Sequence, residues 1–337
     1  MNGLPEWLTA NRILIGFLVL FLFIPLLVLL MPLSNNLYEQ MSGNRRKSVA
    51  LCAFFILLIF ILALVFEEVA PGTREIMLPL AFAFAAIGPL ISYYNSDKII
   101  LRMSRAREVS DNEPLHVYLK NTVEGLALAA GIPPPKLYII DDTAPNAFAT
   151  GRNPEHAAIA VTTGLLQKLN RRELEGVLAH EMSHIKNYDI LLGSIAVILV
   201  GVVALLSDWL LRSFRYSTGR SRRSRSRGGG QAQAIIVIIA ILLAILAPIV
   251  AQLLRLAISR KREFLADANG AFLTRYPEGL ASALKKLDAD TEPLEAANKS
   301  TAHLYIVNPL REHASFLNNL FSTHPPTEER IAALEKM

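Results

Sequence analysis

Five apolar runs divide the chain. Residues 13–33 pass without a single charge, and residues 49–66, 76–94, 190–207 and 231–254 repeat the pattern. Uncharged runs of about 18 residues or more predict helices that span a bilayer. The first run is too long for the core of a secretory signal, and no small-residue cleavage site stands out after it. Pro79 and Pro89 lie inside the third run, which a membrane helix tolerates. Trp209 closes the fourth like an interface anchor.

Between these runs the pattern changes. Residues 113–130 alternate with helical period and end at Gly131 and the prolines Pro133, Pro134 and Pro135, which predicts an amphipathic helix. Residues 137–140, 147–150 and 157–162 predict strands, the last two joined by a turn at Arg152-Asn153-Pro154. Asn170 is an N-cap, with Glu173 its capping-box partner three residues on, for a helix that runs to about residue 187. The chain thus predicts an α+β membrane protein, mainly helical, with a small β-sheet. Residues 1–94 form an N-terminal transmembrane region. Residues 95–189 and 255–337 form one soluble domain, interrupted by a transmembrane hairpin over residues 190–254. The loop of that hairpin, residues 212–230, is rich in Arg, Ser and Gly and predicts a flexible segment.

Composition narrows the function classes. The chain is 52% hydrophobic and 19% charged, against about 25% charged in a soluble globular domain. A purely soluble protein and a disordered one are both excluded. The net charge of +5 is no nucleic-acid signature, because the excess sits in residues 212–227, which hold seven arginines, and not on a folded basic face. No nucleic-acid partner is expected. A single cysteine, Cys52, excludes a disulfide framework and a cysteine metal site.

The chemistry is concentrated in the helix that follows Asn170. It carries His180-Glu181-Met182-Ser183-His184. Histidines four apart project from one helix face, so both imidazoles can reach one zinc ion at about 2.0–2.1 Å. Glu181 then stands beside the metal as a general base for its water. A hydrolytic zinc needs a third protein ligand and one open position. Any His, Glu or Asp elsewhere qualifies, and Glu263 is the best placed, on a predicted helix just beyond the fifth run. Asp267, one turn later, suits the other nitrogen of a ligand imidazole. Taken alone, this pair reads equally as a solvated helix face.

These residues carry a resemblance. HEMSH, followed by Arg260-Lys261-Arg262-Glu263-Phe264-Leu265-Ala266-Asp267, resembles the M48 family of membrane zinc metallopeptidases, most closely its heat-shock protease (HtpX) branch. Asn146-Ala147-Phe148-Ala149-Thr150-Gly151 and Thr323-His324-Pro325-Pro326-Thr327-Glu328-Glu329-Arg330-Ile331 resemble two further family segments. The likeness covers about residues 76–337. It implies a zincin-like metallopeptidase domain holding one Zn2+ per chain on His180, His184 and Glu263, with Asp267 behind the ligands. It implies that Asn146 hydrogen-bonds near the bound peptide, that His324 donates to the oxyanion, and that Arg330 supports that site. Residues 157–162, with Ala158, Ile159 and Ala160 at their centre, are expected to be the edge strand on which an extended peptide pairs. The family's common form has two apolar runs before the catalytic domain, and this chain has three.

The resemblance implies an endopeptidase in the plasma or inner membrane. Its partners are the lipid bilayer and unfolded or misassembled membrane proteins; the oligomeric state stays open. Two other readings compete: a prenyl-protein (CAAX-type) processing protease of the same family, and a zinc-stabilised membrane scaffold. Glu181 disfavours the scaffold, because structural zinc needs no general base.

Topology sets the sequence against itself. His184 and Glu263 share one ion only if the fourth and fifth runs leave and return to the same side. The family implies a cytosolic catalytic domain, and Lys98, Arg102, Arg105 and Arg107 beside the third run agree with the positive-inside rule. The seven-arginine loop then lies outside, against that rule, while the acidic Glu67-Glu68 loop and the N-terminus share its side. The length of run 231–254 favours spanning. In a Cys52→Ser background, a membrane-impermeant thiol reagent on intact cells should label Gly229→Cys and spare Asn153→Cys. Protection of Gly229→Cys until lysis would place the loop in the cytosol.

Overall fold

The computed structural model describes residues 24–29, 31, 37–69, 74–110, 112–198, 201, 260–297, 300–309 and 325–337. The run 231–254, the arginine-rich loop 212–230, most of run 13–33, and His324 lie outside these described residues.

The second and third apolar runs are the middles of longer helices, α1 (Leu37–Val69) and α2 (Arg74–Met103), which pack on each other. Glu67 and Glu68, read above as a loop, are helical, and so are Arg45, Arg46 and Lys47. Gly43 precedes them, but one glycine costs a helix only about 1 kcal/mol and does not end it. Pro79 and Pro89 are both accommodated inside α2. Among the described residues, no helix is long and apolar enough to cross a membrane.

The chain is mostly helical around one small mixed sheet. α2 runs past Tyr94 into the sheet's core, where Ile100 and Leu101 are buried. After it come β1 (Arg107–Glu108), α3 (Pro114–Ala130), β2 (Lys136–Ile140), β3 (Ala147–Gly151), β4 (Ala157–Thr162) and α4 (Thr163–Lys168). Then follow α5 (Arg171–Lys186), α6 (Arg260–Thr274), α7 (Pro277–Ala289) and α8 (Thr327–Leu334). Helix α3 stops where Gly131 adopts φ 71°, a left-handed cap that glycine enters without steric cost. The strand order is β1-β2-β4-β3. β2 and β4 are parallel; the β1–β2 and β3–β4 pairs are antiparallel.

That order corrects one expectation. β4 is an inner strand: Ile159 pairs with Leu137 of β2 on one side and Ala149 of β3 on the other. The backbone groups of Ala158, Ile159 and Ala160 are therefore spent on neighbouring strands, and no peptide can add there. The all-apolar run Ala-Ala-Ile-Ala-Val suits a strand buried on both faces. The edge is β3.

One face of the sheet buries Ile139, Ile159 and Val161 against α3, α5 and α7, while the other packs Phe148, Ala158 and Ala160 against Ile100 of α2 and Tyr305. Phe148 and Tyr305 meet edge to face, ring centroids 5.1 Å apart.

Helix α5 is fastened at its start. The Asn170 side chain accepts the Glu173 amide at 3.0 Å, and the Glu173 carboxylate accepts the Asn170 amide at 2.8 Å. The same carboxylate also takes Ser282 Oγ and Lys286 Nζ of α7, each at 2.7 Å. Burial pushes the Glu173 carboxyl up, but Lys286, Ser282 and the Asn170 amide outweigh it and hold it below the usual carboxylate range. Glu173→Ala should lower stability by about 2–3 kcal/mol, read as a lower thermal unfolding temperature at pH 7. Because the folded value is depressed, this contribution is complete above about pH 4.3 and fades as pH falls through the lowered value. The gap between wild type and variant should therefore narrow in acid.

Candidate metal centre

Two close helix contacts build the centre. A Cβ on Gly270 of α6 would lie 3.0 Å from the His180 backbone nitrogen, and one on Gly176 of α5 would lie 2.7 Å from the Leu280 nitrogen of α7. Glycine at these positions lets three helices meet at backbone distance. Glu263 sits seven residues, about two turns, before Gly270 and so shares its face of α6. The close approach of α6 to α5 brings Glu263 over the histidines.

His180, His184 and Glu263 place their donor atoms within 4.8 Å of one another. The two Nε2 atoms are 3.1 Å apart. The Glu263 carboxylate oxygens lie 3.8 Å from His180 Nε2 and 3.6 Å from His184 Nε2. Donors about 2.0–2.1 Å from a tetrahedral zinc ion are about 3.3 Å apart, so the set fits that ion. The ring orientations fit it as well. His180 Nδ1 meets Asp267 at 2.9 Å, and His184 Nδ1 meets Asp189 at 3.0 Å. Each carboxylate holds the ring proton on Nδ1, which turns two Nε2 lone pairs towards one point. With both rings neutral, the two nitrogens and the carboxylate would all donate to one cation held between them.

Charge agrees with geometry. Among the described residues, the carboxyls of Glu181, Glu263, Asp189 and Asp267 gather about the centre with the guanidiniums of Arg262 and Arg330, an acidic set that suits a divalent ion. Burial pushes the His180 imidazole down to about 4. His184 is buried too, but its bond to Asp189 and the charge of Glu263 lift it to about 9. Burial, aided by Glu263, raises Glu181 to about 7, against the pull of His184 and a hydrogen bond from the Ala149 amide. A bound divalent cation draws such a carboxyl back down. Ala149, His180, Glu181, His184, Glu263 and Ile306 line the pocket, whose internal space of about 50 Å³ holds an ion and a few waters.

The other expected site residues fall in different places. Asp267 joins His180 to Arg330, which grips it with two bonds of 2.8 and 2.7 Å. Arg330 is 1% exposed, and its remaining nitrogen donates to the Ile306 carbonyl at 2.8 Å. It therefore orients Asp267. Asn146 is also committed elsewhere. Its amide nitrogen donates to the Val307 carbonyl and its oxygen accepts the Ala147 amide, which pins residues 305–307 beside β3. It does not line the metal pocket. His324 lies outside the described residues.

Sequence reasoning missed Asp189 and Ala149. Asp189 stands five residues beyond His184, a spacing that carries no signal until the chain's turn at Tyr188 is known. Ala149 acts through its backbone, which residue identity does not announce.

A helix offering two imidazoles and a base, with a carboxylate from a second helix, defines the centre of a zinc metallopeptidase. Comparison with known proteins agrees. The profile of peptidase family M48 matches residues 115–337, and the chain belongs to that family. It is 48% identical over 301 residues to a protein named Protease HtpX homolog from Dictyoglomus turgidum, covering 89% of this chain and 94% of that one. It is 46% identical over 305 residues to the protein of the same name from Listeria innocua, covering 89% and 100%. Among solved structures, the crystal structure of S. mikatae Ste24p matches with a TM-score of 0.45 at 21% identity. That match covers 80% of this chain, which spans 61% of that protein's length.

Glu263→Ala should lower retained zinc from about one ion per chain, because a three-ligand set becomes two. Gly270→Val should do the same by forcing α6 away from the His180 backbone, an overpacking that costs about 1–3 kcal/mol. Metal analysis after dialysis checks both. Full zinc in Glu263→Ala would remove that residue from the ligand set.

Proposed function

We propose that this chain is a membrane-embedded zinc endopeptidase that hydrolyses peptide bonds of unfolded or misassembled membrane proteins. His180, His184 and Glu263 would hold one zinc ion. The convergence of those three donors beside the buried Glu181 carries the reading. A zinc ion held there supplies positive charge that polarises the scissile carbonyl and acidifies water. Glu181 accepts the proton of the attacking water and returns it to the leaving amine nitrogen. Asp267 and Asp189 keep both imidazoles turned towards the ion, and Arg330 keeps Asp267 in place. His324 is the donor proposed for the oxyanion.

An extended peptide is proposed to lie along the outer edge of β3 at Ala149, whose amide points towards Glu181. Neighbouring positions on that edge are already engaged: the Ala147 carbonyl accepts the Ile306 amide at 3.0 Å, and the Gly151 amide donates to Ser194 Oγ at 3.3 Å. The free stretch is short and recognised through backbone, which suits cleavage with little sequence preference.

Membrane placement rests on the apolar runs and on the surface of α2. Phe82, Ile87, Leu90 and Ile91 are each about half exposed or more, a side-chain set suited to lipid. The catalytic domain is proposed to face the cytoplasm, the side indicated by Lys98, Arg102, Arg105 and Arg107.

Casein cleavage by detergent-solubilised protein tests the activity. Glu181→Gln should cut the rate by about 10²–10⁴-fold while zinc stays near one per chain. Unchanged proteolysis in that variant would overturn the mechanism. Membrane proteins should accumulate in cells that carry only Glu181→Gln.

A further inference from the structure

We propose that Asn44, on the N-terminal helix α1, is a positioning residue for the metal centre: it holds the turn that aims Asp189 at His184. The inference rests on the reading of His184 as a zinc ligand. It concerns a residue far outside residues 115–337, the part that matches the family profile.

The turn needs holding. Helix α5 ends at Lys186, and Tyr188 adopts φ 61°. A bulky L-residue enters that left-handed region only at a cost of about 1–2 kcal/mol. The reversal puts Asp189 Oδ2 at 3.0 Å from His184 Nδ1.

Three consecutive residues of the turn are gripped by two consecutive residues of α1. The Asn44 side-chain amide donates to the Asn187 carbonyl at 2.9 Å and to Asp189 Oδ1 at 2.7 Å. The Arg45 guanidinium lies over the Tyr188 ring, 4.1 Å from its centroid. Arg262, next to Glu263 on α6, closes the arrangement. Its guanidinium donates to Asn44 Oδ1 and to Asp189 Oδ1, both at 3.2 Å. Asn44 is 1% exposed.

Each partner has a defined job. Asp189 gives one oxygen to the ligand imidazole and the other to Asn44 and Arg262. With both oxygens engaged, the carboxylate cannot rotate away from His184. Asn44 serves as donor to the turn and acceptor from α6, a combination that only an amide side chain provides here. An aspartate would lack the donor and would face Asp189 with like charge. One amide thus ties α1, the turn after α5, and α6 into a single frame around the two ligand-bearing helices. Partners one shell beyond a ligand commonly set metal affinity by about 10–100-fold.

The test uses the full chain in detergent micelles, loaded either with zinc against a competing chelator or with Co2+ for its visible spectrum. Asn44→Ala should raise the zinc dissociation constant at least about threefold, up to the roughly 10–100-fold expected for losing the ligand's own partner Asp189, and shift the Co2+ bands, because the His184 ring loses its fixed orientation. Val49→Ala, exposed on the same helix, should change neither. Because Asn44 acts through Asp189, adding Asn44→Ala to Asp189→Ala should weaken binding by less than about threefold beyond Asp189→Ala alone. If Asn44→Ala does not fold, Arg45→Ala carries the test. That side chain is exposed, and its loss should weaken zinc binding several-fold.

Wild-type affinity and spectrum in Asn44→Ala, or additive losses in the double variant, would overturn the role of Asn44. In the fallback, wild-type affinity in Arg45→Ala would do so. His184→Ala separates this from the parent reading: if it binds zinc as wild type does, the ligand assignment itself fails.

Discussion

Two imidazole Nε2 atoms held 3.1 Å apart are the constraint on which the rest of the structure depends. For both to serve one metal ion, each ring must be fixed from behind. Asp267 and Asp189 do this from opposite sides. Buried carboxylates in turn demand partners, which Arg330, Arg262 and Asn44 provide. The arrangement reads outward in rings of alternating sign: donors around a cation site, carboxylates behind them, guanidiniums behind those. Helix packing follows the same demand, since Gly176 and Gly270 exist where α7 and α6 must come to backbone distance of α5.

The sheet's part is to bring one edge to the centre. β4 is buried between its neighbours, and β3 is left beside α5 with Ala149 facing Glu181. Residues 302–309 then fold along β3, fastened by Asn146 and Arg330. These two polar side chains belong to the frame of the cleft, and their burial reflects that.

Local signals were legible in the sequence. The Asn170–Glu173 box, the Gly131 stop and the strands near 137–140, 147–150 and 157–162 all appear within a residue or two of where period and capping place them. Each depends on neighbours in the chain. What pattern could not supply was order across the sheet. β4 looked like an edge because alternation does not say which strands flank it. The partners of Asn146 and Arg330 were not legible either, because residue type does not say which way a polar group turns. Asp189 was invisible because its value depends on a left-handed tyrosine that no propensity favours. Helix α1 hid its role for a similar reason: Asn44 sits at the margin of an apolar run, where an amide reads as a boundary.

Arg330 and Asp267 are separated by 63 positions in the chain, and Arg330 and His180 by 150. The centre is thus closed by a residue far along the chain from both histidines. Until α8 docks, Asp267 is a buried acid without its cation, and the environment of His180 is incomplete. Such long-range closure is slow compared with helix formation. A growing chain has its two histidines and its base long before it has a settled centre. The orientation of the first ligand ring is therefore a property of the whole folded domain and not of the helix that carries it.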